Sequence, residues 1–573
     1  MLRILYGTAG TGKSAAIMDE IRRGADSGER YILLVPEQYS HEAERELCAV
    51  CGDGLSLYAE VLSFTGLARE ISSECGGAAN EYLDKGGRLL CMALAADGLY
   101  SRLRVYGAAR RKAELQTMLL GAVDEFKSAC VTSERLMQAS EACEGALGDK
   151  LHDLGLILEA YDGVVANGRA DPSDRLSVLA QQIGQCSMSE RTHVFVDGFT
   201  DFTAQERRVL EALLSKGVCL TVCLGCDELH GGSEVFALSR ITASALLKFA
   251  ADNGIKAQTE RFGGESTKAK PLGEFAENMF SYRAVEAGDA QGRIKIISAA
   301  DTNAECEFAA AEAVSLVRDT GCRWRDIAVC AKGFDDYRLP LESAFSRFGA
   351  PIYTARKADM LSKPLPMLIE SAYEIILGGW EADDVFDYLR TGFGGLDTDE
   401  CDELENYVFM WQLHGSAWTR AENWRLHPEG YGKQPDEASE QTLEQINLLR
   451  ETARPPLMRF AENAAAATTA TEQAQALASL FEDLHLADKL QARAEALEKD
   501  GRAAAAQEYA QLWDITVGAL EQCAAVLGDT PADAEYFGRL FSLMLSRYDI
   551  GTIPASLDLS LIHISEPTRL RCI

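Results

Sequence analysis

A phosphate-binding loop at the start of the chain constrains the fold more than any other feature. The complete pattern G-x-x-x-x-G-K-S is formed by Gly7, Thr8, Ala9, Gly10, Thr11, Gly12, Lys13 and Ser14. The apolar run 2–6 before it predicts a strand, and residues 13–23 after it predict a helix. Because this pattern binds phosphate when it joins a strand to a helix, the sequence predicts a nucleotide site on a parallel, helix-covered sheet.

The residue types in the loop fit ATP and Mg²⁺. Gly10 and Gly12 allow backbone N–H groups to surround a phosphate, Lys13 can reach the β- and γ-phosphates, and the Ser14 hydroxyl can ligate Mg²⁺. Asp197 ends the apolar run 193–196 and is the second predicted Mg²⁺ ligand. The alternatives are a loop that keeps its shape without binding nucleotide, and an Asp197 that only caps a turn.

Gly198 follows Asp197, at the position where a hydrolysing motor would carry Glu. Hydrolysis needs a group that positions or activates the attacking water, and glycine has no side chain to do so. The sequence therefore predicts nucleotide binding with weak or absent ATPase activity.

Aromatic and polar residues follow three predicted strands, at 31–35, 58–64 and 193–196. Ligands of open parallel sheets gather at these strand ends, and aromatic side chains suit stacking on the bases of single-stranded nucleic acid. Taken singly, such residues are more often core aromatics or turn caps, and it is their convergence at one sheet edge that indicates a function. The predicted DNA contacts are Gln38, Ser40, Phe64, Thr65, Phe199 and Phe202.

Changes in periodicity predict a chain of several domains. A P-loop α/β domain spans 1–80 and 186–265, and 81–185 is a helical insertion. A second α/β domain occupies 290–375, with a strand at 293–298, a helix at 305–318 and a strand at 326–331. A second helical insertion follows at 376–545, and 546–558 returns to the second α/β domain. Residues 559–573 resemble the translation of a sequencing adapter, so we expect a truncated chain with an incomplete second domain. The alternative is a genuine C-terminal strand and tail.

The overall composition narrows the possible partners. The net charge is −32, so any DNA contact requires a locally basic channel or a partner that supplies positive charge. No apolar run is long enough to span a bilayer, and the cytoplasm is the expected location. The 16 cysteines lack the spacing of a disulfide framework. Cys219, Cys223 and Cys226 are interpreted as small apolar residues of a strand rather than as metal ligands.

A series of motifs resembles the AddB family, the B subunits of bacterial ATP-dependent helicase/deoxyribonucleases, which have a superfamily 1 helicase-like fold. Besides the P-loop, the motifs are LVPEQ at 34–38, SF at 63–64, EFK at 125–127, KLHDL at 150–154, VDGFTDFT at 196–203, DIAV at 326–329 and YDIGTIP at 548–554.

This resemblance implies a non-motor subunit that pairs with an active AddA-type helicase-nuclease as a heterodimer. It also implies scanning of the 3′-ended single strand during processing of double-strand DNA breaks for recombinational repair. A nuclease domain with an iron–sulfur cluster is implied only beyond residue 558. The alternatives are an active P-loop NTPase or kinase acting on a non-DNA substrate, and a scaffold with an inactive loop.

Overall fold

The computed structural model describes residues 1–52, 54–76, 82–109, 112–166, 169–263, 270–279, 292–354, 357–551 and 560–562. Arg110 and Arg111 lie outside these ranges, as does most of the segment 264–291 apart from one helix. Within the described residues, no helix combines the length and the apolar character needed to cross a bilayer.

The first domain is built on a sheet of six parallel strands, which confirms the α/β class predicted from the sequence. The strands are β1 (Leu2–Gly7), β2 (Arg30–Leu34), β3 (Ala59–Leu62), β4 (Thr192–Val196), β5 (Cys219–Gly225) and β6 (Ala257–Arg261). Their spatial order is β3-β2-β4-β5-β1-β6, so all strand carboxyl ends lie at one edge. Only β6 was not predicted, because each of its residues is exposed and the strand has no apolar alternation.

Helices cover both faces of this sheet because its central strands bury apolar side chains on both sides. Leu2 and Ile4 point into one core, whereas Leu5 points into the opposite core with Phe195. The helices up to the second domain are α1 (Lys13–Arg23), α2 (Ser40–Cys51), α3 (Phe64–Glu74), α4 (Lys85–Gly98), α5 (Ala113–Ser128), α6 (Ser133–Ala142), α7 (Ala146–Ala166), α8 (Arg175–Gln182), α9 (Ala204–Ser215), α10 (Ala237–Asp252) and α11 (Lys270–Asn278).

The predicted first helical insertion contains α4 to α7, which surround a core of their own. Met92 of α4, Val123 of α5 and Ile157 of α7 are fully or almost fully buried there. The opposite side of α4 contributes Leu90 and Ala93 to a different core, which belongs to the second helical region. The two helical regions therefore pack against each other.

The second α/β region begins with α12 (Thr302–Thr320) and continues through β7 (Ala328–Val329), α13 (Phe334–Arg347), β8 (Ile352–Thr354) and β9 (Lys357–Asp359). The strand predicted at 293–298 is wrong: these residues form no strand, and Ile296 is 95% exposed. Among the described residues no strand pairs with this apolar alternation, and an isolated strand leaves its backbone groups without ladder partners.

The second helical region begins before the predicted boundary at residue 376. Its helices are α14 (Pro364–Gly378), α15 (Ala382–Arg390), α16 (Thr398–Trp411), α17 (Ser416–Thr419), α18 (Glu437–Ala466), α19 (Ala470–Asp483), α20 (Leu486–Lys499), α21 (Ala503–Leu527) and α22 (Ala534–Leu545). Helix α14 packs on α15 and α22 around the same core, which includes Ile369, Phe386 and Phe541.

Two short strands follow the helices, β10 (Asp549–Gly551) and β11 (Ser560–Ile562). Strand β10 pairs antiparallel with β9 in a separate two-stranded sheet. Strand β11 lies between β7 and β8, parallel to both. Its three residues belong to the segment 559–573, which the sequence analysis interpreted as an adapter-derived tail, with a genuine C-terminal strand as the alternative.

Candidate nucleotide and nucleic-acid site

The phosphate-binding loop joins β1 to α1 as predicted, at the carboxyl edge of the six-stranded sheet. Gly10 and Gly12 have φ angles of 84° and 88°, a region that favours glycine over residues with a Cβ atom. Gly7 is closely surrounded, since an added Cβ would lie 2.3 Å from the backbone oxygen of Phe262. Gly10 and Gly12 therefore allow the backbone conformation of the loop, and Gly7 allows the loop to pack against the segment after β6.

The ammonium group of Lys13 lies inside the loop. Its Nζ donates to the carbonyl oxygens of Gly7 at 2.7 Å and Thr8 at 2.8 Å. Burial lowers the pKa of Lys13, while the nearby Cys223 and Asp197 act in the opposite direction. The Lys13 ammonium group is thus partly desolvated and held by loop carbonyls. From this position it can turn toward a phosphate bound in the loop.

Asp197 follows β4, and a single strand, β5, lies between β4 and the P-loop strand β1. Its backbone N–H donates to the oxygen of Leu34 at 3.0 Å, and its Oδ1 accepts from the N–H of Gly198 at 2.9 Å. Asp197 is close enough to act electrostatically on Lys13. The acidic residue and the loop therefore belong to one edge of the sheet.

The residues present could bind Mg²⁺ only together with ligands from a bound nucleotide and from water. The described part of the chain contains no group of three or more His, Cys, Asp or Glu residues placed to hold a metal. Mg²⁺ in nucleotide sites commonly takes one or two protein oxygens and completes its shell with phosphates and water. Ser14 in the first turn of α1 and Asp197 are the oxygens available for this, and nucleotide phosphates would supply others.

Gly198 adopts a conformation that a glutamate would not share without strain. Its φ angle is 81°, and an added Cβ would lie 3.2 Å from Cδ of Pro36. Position 198 therefore lacks the carboxylate of a glutamate and also has a backbone conformation that residues with a Cβ atom rarely adopt. The loop after β4 is shaped around glycine.

We therefore expect Gly198→Glu to lower the free energy of unfolding by about 1–2 kcal/mol without creating ATP hydrolysis. The backbone strain is the cause, so Gly198→Ala should cost a similar amount. Gly184→Ala is the control, because an added Cβ meets nothing within 4 Å there and no positive φ is involved. Thermal unfolding and a phosphate-release assay measure the two effects. A clear gain in hydrolysis by Gly198→Glu would contradict this expectation.

Three phenylalanines after β3 and β4 form one aromatic cluster. The ring centroids of Phe64 and Phe199 are 5.5 Å apart, and those of Phe199 and Phe202 are 5.1 Å apart. Phe64 is only 6% exposed and belongs to the core, so it supports the other two rings and does not offer a free face. Phe199 and Phe202 are half-buried and remain the candidates for base stacking.

A groove of about 310 Å³ adjoins this cluster, and it contains several of the predicted DNA-contact residues. Phe64, Thr65 and Phe199 line it, and Thr65 Oγ1 donates to Glu37 at 3.3 Å. Gln38 and Ser40 are not among its lining residues, although they follow the neighbouring Pro36 and Glu37. The structure thus brings part of the predicted set together in one groove.

The helical insertion supplies the opposite wall of the groove, which no sequence pattern predicted. The residues from this side are Pro172, Ser173, Arg175 and Leu176. Arg175 is a cation in this lining, and its guanidinium also lies 4.2 Å from the ring centroid of Tyr82. Gln205 of α9 fixes the wall by donating to the Ser173 carbonyl at 2.8 Å.

A buried ionic network holds this wall in place, centred on Asp171. The Asp171 side chain is fully buried and pairs with Arg88 at 2.8 Å and with Lys127 at 2.9 Å. Its carboxylate also accepts from Tyr161 Oη at 3.0 Å and from the Ser173 N–H at 2.9 Å. Burial alone would raise the pKa of Asp171, but the two cations and these donors lower it below the ordinary value. The EFK motif at 125–127 thus includes a structural cation, Lys127.

Comparison with known proteins gives the same family as the sequence motifs. Residues 4–275 match the family model described as "ADDB, N-terminal". Over 99% of its length the chain is 30% identical to the B subunit of the ATP-dependent helicase/deoxyribonuclease of Acetivibrio thermocellus. The corresponding protein of Desulforudis audaxviator is 32% identical over 99% of the chain, and that of Caldanaerobacter subterraneus is 30% identical over 97%. The chain belongs to the AddB family.

The chain spans about half the length of the curated relatives it matches. The aligned part covers 51% of the Acetivibrio protein, 51% of the Desulforudis protein and 49% of the Caldanaerobacter protein. The names of these relatives describe one subunit of an ATP-dependent helicase and deoxyribonuclease.

Proposed function

We propose that this chain is the helicase-like, non-motor half of an AddB protein and that it binds the 3′-ended single strand during the processing of double-strand DNA breaks. The observation that carries the proposal is the aromatic groove at the carboxyl edge of the sheet. Phe199 lines this groove, and the half-buried ring of Phe202 contacts both Phe199 and the buried Phe64. Aromatic faces next to a groove are the means by which proteins bind single strands without reading each base.

The groove's charges indicate how DNA would bind. Glu37 and Glu206 line it together with Arg175, so its walls do not present a cationic track for phosphates. Stacking should therefore provide most of the affinity, and the chain's net charge of −32 should weaken it. An AddA-type partner that contacts the DNA backbone would supply the positive charge that this groove lacks. We therefore propose a heterodimer in which this chain contacts the bases of the single strand.

The nucleotide site supports a non-motor role. The loop retains the residues that hold phosphate and magnesium, but Gly198 replaces the group that would activate water. ATP bound with Mg²⁺ at such a site would stabilise the sheet edge beside the groove without driving movement. The complete P-loop also favours the second candidate function, an NTPase or kinase that acts on a substrate other than DNA.

The test is the affinity of the chain for a fluorescein-labelled 20-nucleotide oligothymidine at low salt, measured by anisotropy. The double substitution Phe199→Ala, Phe202→Ala should weaken binding at least tenfold, since stacking on one aromatic ring is worth about 1–3 kcal/mol per base. Phe409→Ala is the matched control, because Phe409 is an aromatic residue of α16 that is 48% exposed and lies far along the chain.

The salt dependence of the same measurement separates stacking from phosphate contact. A groove that binds mainly by stacking should lose little affinity between 50 and 200 mM salt. The slope of the logarithm of the binding constant against the logarithm of the salt concentration should correspond to about one released counterion, the one displaced by Arg175. If the double variant and Phe409→Ala bind the oligonucleotide as tightly as the unmodified chain, the proposed groove is not the DNA site.

A further inference from the structure

A second and larger groove lies between the two helical regions, away from the nucleotide site. Its volume is about 1090 Å³. Helices α14 and α22 form its long walls, Asp384 of α15 stands at one end, and residues 112–116 near the start of α5 close the other side. Neither the P-loop nor the aromatic groove shares a residue with it.

The floor of this groove is apolar. Ile369 of α14 and Leu540 of α22 are buried in it, and Leu543 is half-buried. Leu377, near the end of α14, is 51% exposed while lining the same groove. The apolar surface that the groove leaves open is therefore provided by Leu377 and, in part, by Leu543. Exposed leucines in a groove are typical of a surface that binds another protein segment.

The groove lining is net acidic: five carboxylates, on Glu114, Glu370, Glu374, Asp384 and Glu535, face two cations, on Lys112 and Arg539. Arg539 pairs with Glu535 at 2.8 Å. Glu370 and Glu374 lie one turn apart on α14, and both are exposed. Asp384 reaches back toward α14, with its Oδ2 3.1 Å from the position of a Cβ on Gly378. In the described part of the chain, none of these three carboxylates has a lysine or arginine within ion-pair distance.

This arrangement costs free energy in the isolated chain. Like charges four residues apart on a helix repel each other, and carboxylates near a helix carboxyl end oppose the helix dipole. The last turn of α14 contains no basic residue to offset them. Burial raises the pKa of Glu374, and Glu370 and Asp384 raise it further. A cation arriving at this rim would therefore gain more than at an ordinary exposed carboxylate.

We propose that the groove between α14 and α22 docks a basic amphipathic helix from a protein partner. Apolar side chains of such a helix would cover Leu377 and Leu543, and lysines or arginines beside them would meet the acidic rim. Charge excludes nucleic acid, since phosphates would face the carboxylates. A second copy of this chain is also poorly matched, because its net charge is −32. The proposal does not depend on DNA binding at the other groove.

The probe is a fluorescein-labelled 14-residue peptide of leucines and lysines arranged for an amphipathic helix. It should bind the 573-residue chain, whereas a peptide with glutamate in place of each lysine should not. The triple substitution Glu370→Gln, Glu374→Gln, Asp384→Asn should weaken binding of the lysine peptide at least tenfold. Leu377→Ser should weaken it several-fold through the apolar floor, and its exposure means that the fold is preserved.

A charge-matched control distinguishes docking from general attraction to an acidic protein. Glu440→Gln, Glu444→Gln and Glu462→Gln remove three exposed carboxylates from α18 and should leave the affinity unchanged. The groove triple variant should also melt at a higher temperature than the unmodified chain, because it relieves repulsion within the rim. Equal loss of affinity in both triple variants, or no loss in the groove variant, would overturn the proposal.

Discussion

Asp171→Asn is expected to lower the free energy of unfolding by about 3 kcal/mol, the largest loss of stability that we predict for this chain. Removing one partner from a buried ion pair leaves the other charge buried without compensation, which typically costs about 3–5 kcal/mol. Arg88 and Lys127 would both be affected, and both are 8% exposed. We expect a value near the lower limit because Asp124 and Asp174 remain as their partners.

The effect should depend on pH in a direction fixed by the lowered pKa of Asp171. A carboxyl group whose pKa falls on folding stabilises the native state fully above its unfolded pKa, near 3.8, and loses that contribution as the pH falls further. The difference between Asp171→Asn and the unmodified chain should therefore be constant from about pH 5 upward and narrow below about pH 4.

Asp162→Asn is the matched control for this network. Asp162 pairs with the same Lys127 at 3.0 Å, but its side chain is 52% exposed, so its loss should cost less than about 1 kcal/mol. Hydrogen exchange of the amides in α4 to α7, followed by mass spectrometry, measures the stability of this region separately from the other domains. Equal effects of the two substitutions would show that Asp171 is not the centre of the network.

The same network shows where sequence reasoning stops. Arg88, Lys127, Tyr161 and Asp171 are separated by up to 83 residues, and no local pattern indicates that they meet. The EFK motif is visible in the sequence, but the buried position of its lysine depends on how α4, α5 and α7 pack. The wall that these residues hold against the aromatic groove could not be predicted for the same reason.

The parts that could be predicted are those in which local pattern and tertiary position agree. Helix α1 has the predicted bounds because the P-loop determines where it starts, and β4 and β5 are buried apolar runs. Strand β6 has no such pattern: its side chains are exposed, and pairing with β1 alone makes it a strand. Phe64 illustrates the opposite failure, since an aromatic residue at a strand end can be either a ligand contact or part of the core.

Lys13→Ala should weaken ATP binding about 10- to 150-fold, the largest change in affinity that we predict. A hydrogen bond to a charged group contributes about 1.5–3 kcal/mol, and the Lys13 ammonium is the group that we predict to bind the phosphates. Isothermal titration with ATP measures the effect. Lys216→Ala is the control, because Lys216 lies on the surface and donates only to the carbonyl of Gly184 at 2.9 Å.

Ser14→Ala separates loss of a ligand from collapse of the loop. If Ser14 ligates Mg²⁺, this substitution should weaken ATP binding when Mg²⁺ is present and have little effect when the metal is chelated, whereas Lys13→Ala should weaken binding in both conditions. If Ser14→Ala instead collapses the loop, ATP binding by this variant should be weakened to the same extent with Mg²⁺ present and with Mg²⁺ chelated. The contrast between the two variants therefore tests the predicted roles of both residues.

Turnover by the unmodified chain then decides between the functions that a complete P-loop allows. ATP that binds tightly and is hydrolysed at a negligible rate agrees with a non-motor role, because Gly198 offers no group to activate water. Substantial hydrolysis without DNA would favour the NTPase or kinase and contradict the proposed role. Failure of the unmodified chain to bind ATP would leave a scaffold whose loop retains only the shape of a nucleotide site, and the aromatic groove would then have to act without a nucleotide beside it.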